Sequence, residues 1–116
     1  MPFGNILITE PISISRLKEI ATQGYGNMVK AVVDIEKGLL VIGHEMHYEG
    51  EEFLLNLGSQ QSKLWGFNIF PDSSKNDWIE FDSMINIRPS NGNRSRSVED
   101  KTIQLKIVEI VDKHIL

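Results

Sequence analysis

Residues Met28–Ile42 read MVKAVVDIEKGLLVI, and this stretch decides the fold class. Val29, Ala31, Val33 and Ile35 fall on one side of an extended chain and Met28, Lys30, Val32 and Asp34 on the other, the period of a half-buried β-strand. Glu36-Lys37-Gly38 has the length and the glycine of a tight connection, and Leu39–Ile42 supplies the returning strand. A β-hairpin is therefore the organising unit.

Working outward, Ile6-Leu7-Ile8 is a short apolar run closed by Pro11, and Ser13 caps a helix in which Leu17, Ile20 and Ala21 recur at helical spacing before Gly24 and Gly26 stop it. On the other side of the hairpin, the acidic stretch His44–Glu52 leads into a short helix at Phe53–Leu57 that Gly58 ends. Leu64–Phe70 reads as a strand stopped by Pro71. Trp78–Arg88 alternates again, with Ile79, Phe81, Ser83, Ile85 and Ile87 toward a core and Trp78, Glu80, Asp82, Met84, Asn86 and Arg88 opposite. Turn residues Pro89-Ser90-Asn91-Gly92-Asn93 precede an amphipathic helix from about Val98 to Ile115, whose apolar arc is Ile103, Ile107, Val108, Ile110, Val111 and Ile115. The expected fold is α+β: a two-layer domain with a mainly antiparallel sheet in the order βαββαββα, whose first six elements match a ferredoxin-like split βαβ unit.

The 116 residues suit one domain, taken as 1–116, and the formal net charge of −4 excludes a wholly basic nucleic-acid surface while permitting a local basic patch. Without cysteine there is no disulfide framework, thiolate nucleophile or Cys-ligated metal. No apolar run is long enough for a membrane span, and Met-Pro-Phe-Gly-Asn-Ile lacks the basic then apolar layout of a signal peptide, so the expected location is the cytoplasm.

Three places could carry chemistry. The loop Arg88–Arg96 holds three of the four arginines and no carboxylate. Arginine forks suit phosphate or carboxylate, and Gly92 with its neighbouring asparagines permits turns that expose backbone N–H groups. Arg88, Asn91, Asn93, Arg94 and Arg96 are thus the anion-binding candidates; the plainer alternative is a solvated connection whose arginines pair with nearby carboxylates. On the polar face of the Trp78–Arg88 strand, Glu80 and Asp82 project side by side and are the candidate catalytic carboxylates, with Asn68 joining them if the neighbouring strand pairs there. A water-facing sheet surface is the competing reading. The segment His44–Glu52 packs two histidines and four carboxylates into nine positions. His47 is its candidate metal ligand, although histidines three apart do not make the helical H-E-x-x-H of a zincin, and an acidic first helical turn explains the carboxylates as well.

Leu64-Trp65-Gly66-Phe67-Asn68-Ile69-Phe70-Pro71 and Ile79-Glu80-Phe81-Asp82-Ser83-Met84-Ile85-Asn86-Ile87-Arg88-Pro89-Ser90-Asn91-Gly92-Asn93-Arg94-Ser95-Arg96 resemble, over nearly the full chain, a family of small bacterial proteins catalogued as a domain of unknown function. The resemblance implies no activity, cofactor or catalytic residue. Three functions are therefore weighed: a binding module holding an anionic partner (RNA, a nucleotide or an acidic protein segment) on the arginine loop; a hydrolase or nuclease using a divalent metal ion held by Glu80, Asp82 and His47; and a toxin–antitoxin-like regulatory component that contacts a protein partner.

Overall fold

The hairpin forms as its alternation requires. In the computed structural model, which describes residues 3–116, it comprises β2 (Val29–Asp34) and β3 (Leu39–Ile42), paired from Ala31 opposite Ile42 to Asp34 opposite Leu39. The Asp34 carboxylate locks the turn by accepting the N–H groups of Glu36 and Lys37 at 2.8 and 2.9 Å and the Ser59 hydroxyl at 2.6 Å. Around the hairpin lie β1 (Ile6–Leu7), α1 (Ile14–Gln23), α2 (His47–Asn56), β4 (Leu64–Ile69), β5 (Ile79–Glu80) and α3 (Lys101–His114), with 3-10 turns at Gln61–Lys63, Met84–Asn86 and Pro89–Asn91. The α+β class and the element order agree with the sequence pattern, and Ser13 caps α1 by accepting the Arg16 N–H. No helix among the described residues is long and apolar enough to cross a membrane.

The five strands lie in the order β1-β3-β2-β4-β5, every pair antiparallel. β1 and β2 flank β3, which is a split βαβ arrangement; β4 then joins β2 rather than β1, and there the order departs from the ferredoxin-like one. Both faces of the sheet are covered. Ala31, Val33, Leu40, Ile42, Phe67 and Ile69 pack with Leu17, Ile20 and Ala21 of α1 and Ile107 and Val111 of α3. Val32, Val41 and Leu64 pack on the opposite face with Leu54 of α2 and the half-buried Phe53 and Ile85. The second side of β2, expected to be only half buried, is thus closed by a third layer made of α2 and the Met84–Asn86 turn.

That third layer exists because two segments depart from their local pattern. Helix α2 starts at His47, six residues earlier than its apolar run suggests, with the Glu49 carboxylate accepting the Met46 N–H at 2.8 Å. It can lie close to the sheet because residue 50 is glycine: a Cβ there would stand 2.5 Å from the His44 ring. The strand read over Trp78–Arg88 ends instead at Glu80, and the buried Trp78 belongs to the core rather than to a polar face. In the antiparallel register that sets Asn68 opposite Glu80, a continued β5 would put residue 82 opposite Gly66. The chain turns away, and the Asn86 side chain takes that place: its Oδ1 accepts the Gly66 N–H and its Nδ2 donates to the Gly66 carbonyl, both at 2.9 Å. A side-chain amide has the same donor and acceptor as a peptide, so it satisfies the strand edge as backbone would.

The substitute fits only over a small residue. A Cβ on Gly66 would meet Ser83 Oγ at 2.6 Å and Ser83 Cβ at 2.7 Å. Gly66→Ala is therefore expected to cost about 1–3 kcal/mol as an overpacked site, read as a drop of several degrees in Tm; an unchanged Tm would mean that the 83–86 segment is free to shift.

Candidate functional site

Directly opposed residues on neighbouring strands share a face, so the pairs Lys30–Asn68 and Asn68–Glu80 form a polar row across β2, β4 and β5 on the α2 side of the sheet. Asn68 Nδ2 donates to Glu80 Oε1 at 2.8 Å and to the Asp82 carbonyl at 3.3 Å. Over this row stand the N-terminal end of α2 and the segment 83–96, and between them opens a cleft of about 280 Å³ lined by Lys30, His47, Ser83 and Arg96, with Met46, Tyr48, Met84 and Ile85 around them. Arg96 reaches it from the far end of its loop and grips Asp82 with two donors, Nε at 2.7 Å and Nη2 at 3.2 Å, which leaves Nη1 unused. The cleft lies at the start of α2, where Glu49 accepts the Met46 N–H and the first-turn residues His47 and Tyr48 border it, so backbone N–H groups of the first turn lie beside it.

The histidines are kept neutral. His47 Nε2 donates to the Phe67 carbonyl at 2.8 Å; since a carbonyl only accepts, the proton is on Nε2 and Nδ1 keeps a lone pair. Burial lowers its pKa to about 4 despite the support of that carbonyl. His44 is buried with neither ring nitrogen hydrogen-bonded, and its pKa is lowered to about 3, first by burial and then by repulsion from His47 and Lys30. Lys30 is half buried. Its Nζ stands 5.4 Å from the Tyr25 ring centroid, and among the described residues it has no carboxylate partner, whereas Lys18 and Lys63 do.

The arginine loop is organised differently from its reading in the sequence. The Arg88 guanidinium donates to the carbonyls of Gln61 and Leu64 and lies 4.6 Å over the Trp65 ring, so it ties the loop to the start of β4. Asn91 donates to the Ser62 carbonyl at 3.2 Å. The buried Asn93 donates to the carbonyls of Asn86, Ser95 and Ser97 and accepts the Glu99 N–H at 3.0 Å, which spends its amide on the loop's own backbone. Only Gly92 takes a left-handed conformation, with φ of 76°; the asparagines do not. The anion in the loop's donor nest is Glu99, whose carboxylate accepts the N–H groups of Arg94 and Ser95 and the Ser95 hydroxyl at 3.1, 2.9 and 2.6 Å. These bonds hold its pKa below the usual carboxylate range, that of the Ser95 hydroxyl foremost. Arg94 is exposed outside the cleft. Of the loop's five candidates the fold brings only Arg96 to Lys30 and His47.

Glu80 and Asp82 are not side by side, because the Asp82 N–H folds back onto the Glu80 carbonyl at 3.0 Å. Their carboxylates are engaged by Asn68 and Arg96, and among the described residues no three His, Asp or Glu side chains gather as metal ligands. The sequence reading passed over Lys30, Tyr48 and Ser83 as site residues. Lys30 carried a signal, as the one cation in the strand Met28–Ile35; Tyr48 and Ser83 carried none. Residues 6–114 match the family described as protein of unknown function (DUF5674), and the chain belongs to it. No curated protein and no solved structure matches the chain.

Proposed function

We propose that this member of the DUF5674 family is a binding module that takes a small anionic ligand into the Lys30–His47–Arg96 cleft. The observation that carries the reading is Lys30: a half-buried lysine on a central strand, without a carboxylate partner among the described residues, and lining a cleft with the first residues of α2. A charge drawn partly out of water interacts with an opposite charge far more strongly than one on the surface does. Arg96 Nη1 and the α2 N-terminus add donors from two other directions.

Size and charge favour a small ligand over RNA. The cleft volume of about 280 Å³ is near the lower end of small-molecule sites. Lys30 and Arg96 line it, while Asp82 against Arg96 and Glu80 against Asn68 lie just behind, a local balance of charges that suits one anionic group and repels a phosphate chain. The metal-assisted hydrolase reading lacks converging ligands, since Glu80 and Asp82 are each committed to a neighbour.

The test is a nuclear magnetic resonance titration of the labelled protein with inorganic phosphate at low and high salt. Saturable shifts are expected at the amides of Lys30, His47 and Tyr48, weaker at high salt, with affinity falling roughly tenfold or more in Lys30→Ala, in line with the worth of a charge-assisted hydrogen bond. Shifts confined to 88–96 would return the site to the arginine loop. No saturable shift at all would overturn the proposal.

A further inference from the structure

Resting on the cleft reading above, we infer that the ligand is a nucleoside monophosphate, its phosphate held by Lys30 and Arg96 and its base laid against Tyr48 and Met84. Three features of the cleft lead there. The first is an apolar mouth above a charged floor. Met46, Tyr48 and Met84 are 48%, 57% and 64% exposed and all border this one cleft. Exposed apolar side chains scattered singly need no explanation, but three gathered around a cation do. Inorganic phosphate or a small dicarboxylate would leave them unused, whereas a planar base stacks on an aromatic ring and on thioethers.

The second feature is the polar lining between mouth and cation. His47 Nδ1 is an acceptor, because Nε2 carries the proton bonded to the Phe67 carbonyl. Ser83 Oγ accepts the Ile85 N–H at 3.3 Å, which leaves its own proton to donate. An acceptor beside a donor matches hydroxyls of a ribose, each of which does both. The third is charge. Arg96 is paired with Asp82, and Glu80 keeps its charge against the neutral Asn68 amide, so Lys30 is the one cation lining the cleft without an ion-pair partner among the described residues. That charge suits a single phosphate; a triphosphate or an RNA chain would bring further negative charge against the two carboxylates.

The experiment measures the affinities of adenosine 5′-monophosphate, inorganic phosphate, adenosine and a short single-stranded RNA for the full chain by titration calorimetry. The monophosphate is expected to bind roughly tenfold or more tightly than phosphate, the gain of one stacked base. Tyr48→Ala should abolish the advantage of the monophosphate over phosphate, Tyr48→Phe should keep it, and Lys30→Gln should weaken phosphate and monophosphate together. Tyr48 is exposed, so its two variants keep the fold, and the Tm of Lys30→Gln is checked beside its affinities. Equal affinity for phosphate and monophosphate would overturn the nucleotide inference and leave the anion cleft standing. RNA binding tighter than the monophosphate, with a steep salt dependence, would overturn it in favour of a nucleic-acid surface. No binding of phosphate or monophosphate would overturn both.

Discussion

Replacing Asn86 by alanine is expected to cost on the order of 3–5 kcal/mol of folding stability, which is a large share of the roughly 5–15 kcal/mol of a typical domain. The fully buried Asn86 amide serves three backbone groups: the N–H and the carbonyl of Gly66, and the carbonyl of Arg96 at 2.9 Å. Alanine leaves both Gly66 groups without a partner in a buried place, at about 1–3 kcal/mol for each unmet group, and takes one of two donors from the Arg96 carbonyl, which keeps the Ser83 N–H. The damage also spreads, because Asn93 donates to the Asn86 carbonyl and the Ser83 N–H to the Arg96 carbonyl. Losing Asn86 thus loosens the edge of β4, the 83–96 segment and the wall of the cleft together. Asn86→Asp keeps an acceptor for the Gly66 N–H but aims a carboxylate at two carbonyls, so it should be at least as harmful. Urea unfolding followed by tryptophan fluorescence reads both variants. A midpoint within experimental error of the parent would show that Asn86 does not brace the strand edge.

Acidification from pH 7 to about pH 4 is expected to destabilise the protein by several kcal/mol through His44 and His47. Above about pH 6.5, the ordinary histidine value, both rings are neutral in the folded and the unfolded chain, and the stability is fully present. Below it the unfolded chain takes up protons that the folded chain refuses until about pH 4 at His47 and about pH 3 at His44. Each refused proton tilts stability by about 1.4 kcal/mol per pH unit. Integrated over the two shifts, this comes to about 3 kcal/mol for His47 and about 5 kcal/mol for His44 taken singly. The sum is smaller, because part of the His44 depression is repulsion from a charged His47. Glu99 adds loss in the same direction below the carboxylate range, since its folded-state pKa is lowered. His44 has no hydrogen bond to lose, so His44→Leu should flatten the dependence between pH 6 and pH 4 by close to one proton while changing stability at pH 7 little. Urea midpoints that stay constant from pH 7 to pH 5 would show that water or a local opening reaches these rings.

The hairpin was legible because its information is local. Alternation over Met28–Ile35, a glycine-bearing turn and a short apolar return need only neighbours to be interpreted, and the apolar arc of α3 repeats within one helix. Trp78–Arg88 shows where this stops. Its alternation is as clean as that of β2, yet only Ile79–Glu80 pairs as a strand. Asn86, placed on the solvent side by alternation, is fully buried against Gly66. A period of two records what an extended segment would present on each face. It does not register that a side-chain amide elsewhere can satisfy a strand edge better than the strand's own continuation.

The site divides in the same way. Clustered arginines in an acidic chain drew attention to the loop Arg88–Arg96, and of them Arg96 lines the cleft. The other candidates were spent on structure: Arg88 on the carbonyls of Gln61 and Leu64, Asn93 on its own loop, and the loop's N–H groups on Glu99. Composition counts charges but not their partners. Whether an arginine is free depends on which carbonyl or carboxylate folding brings beside it, and the partners of Arg88 and Arg96 lie well outside any local window.

By itself, then, the amino-acid order determined the α+β class, the central hairpin, the buried stripes of α1 and α3, and family membership, all of which rest on short-range periodicity or on direct matching of residues. Only the tertiary structure decided the third layer, the role of Asn86 and the meeting of Lys30, His47 and Arg96 in one cleft. These depend on contacts between residues far apart in the chain, where strand register and helix docking, not spacing, set which polar groups are satisfied and which remain available to a ligand.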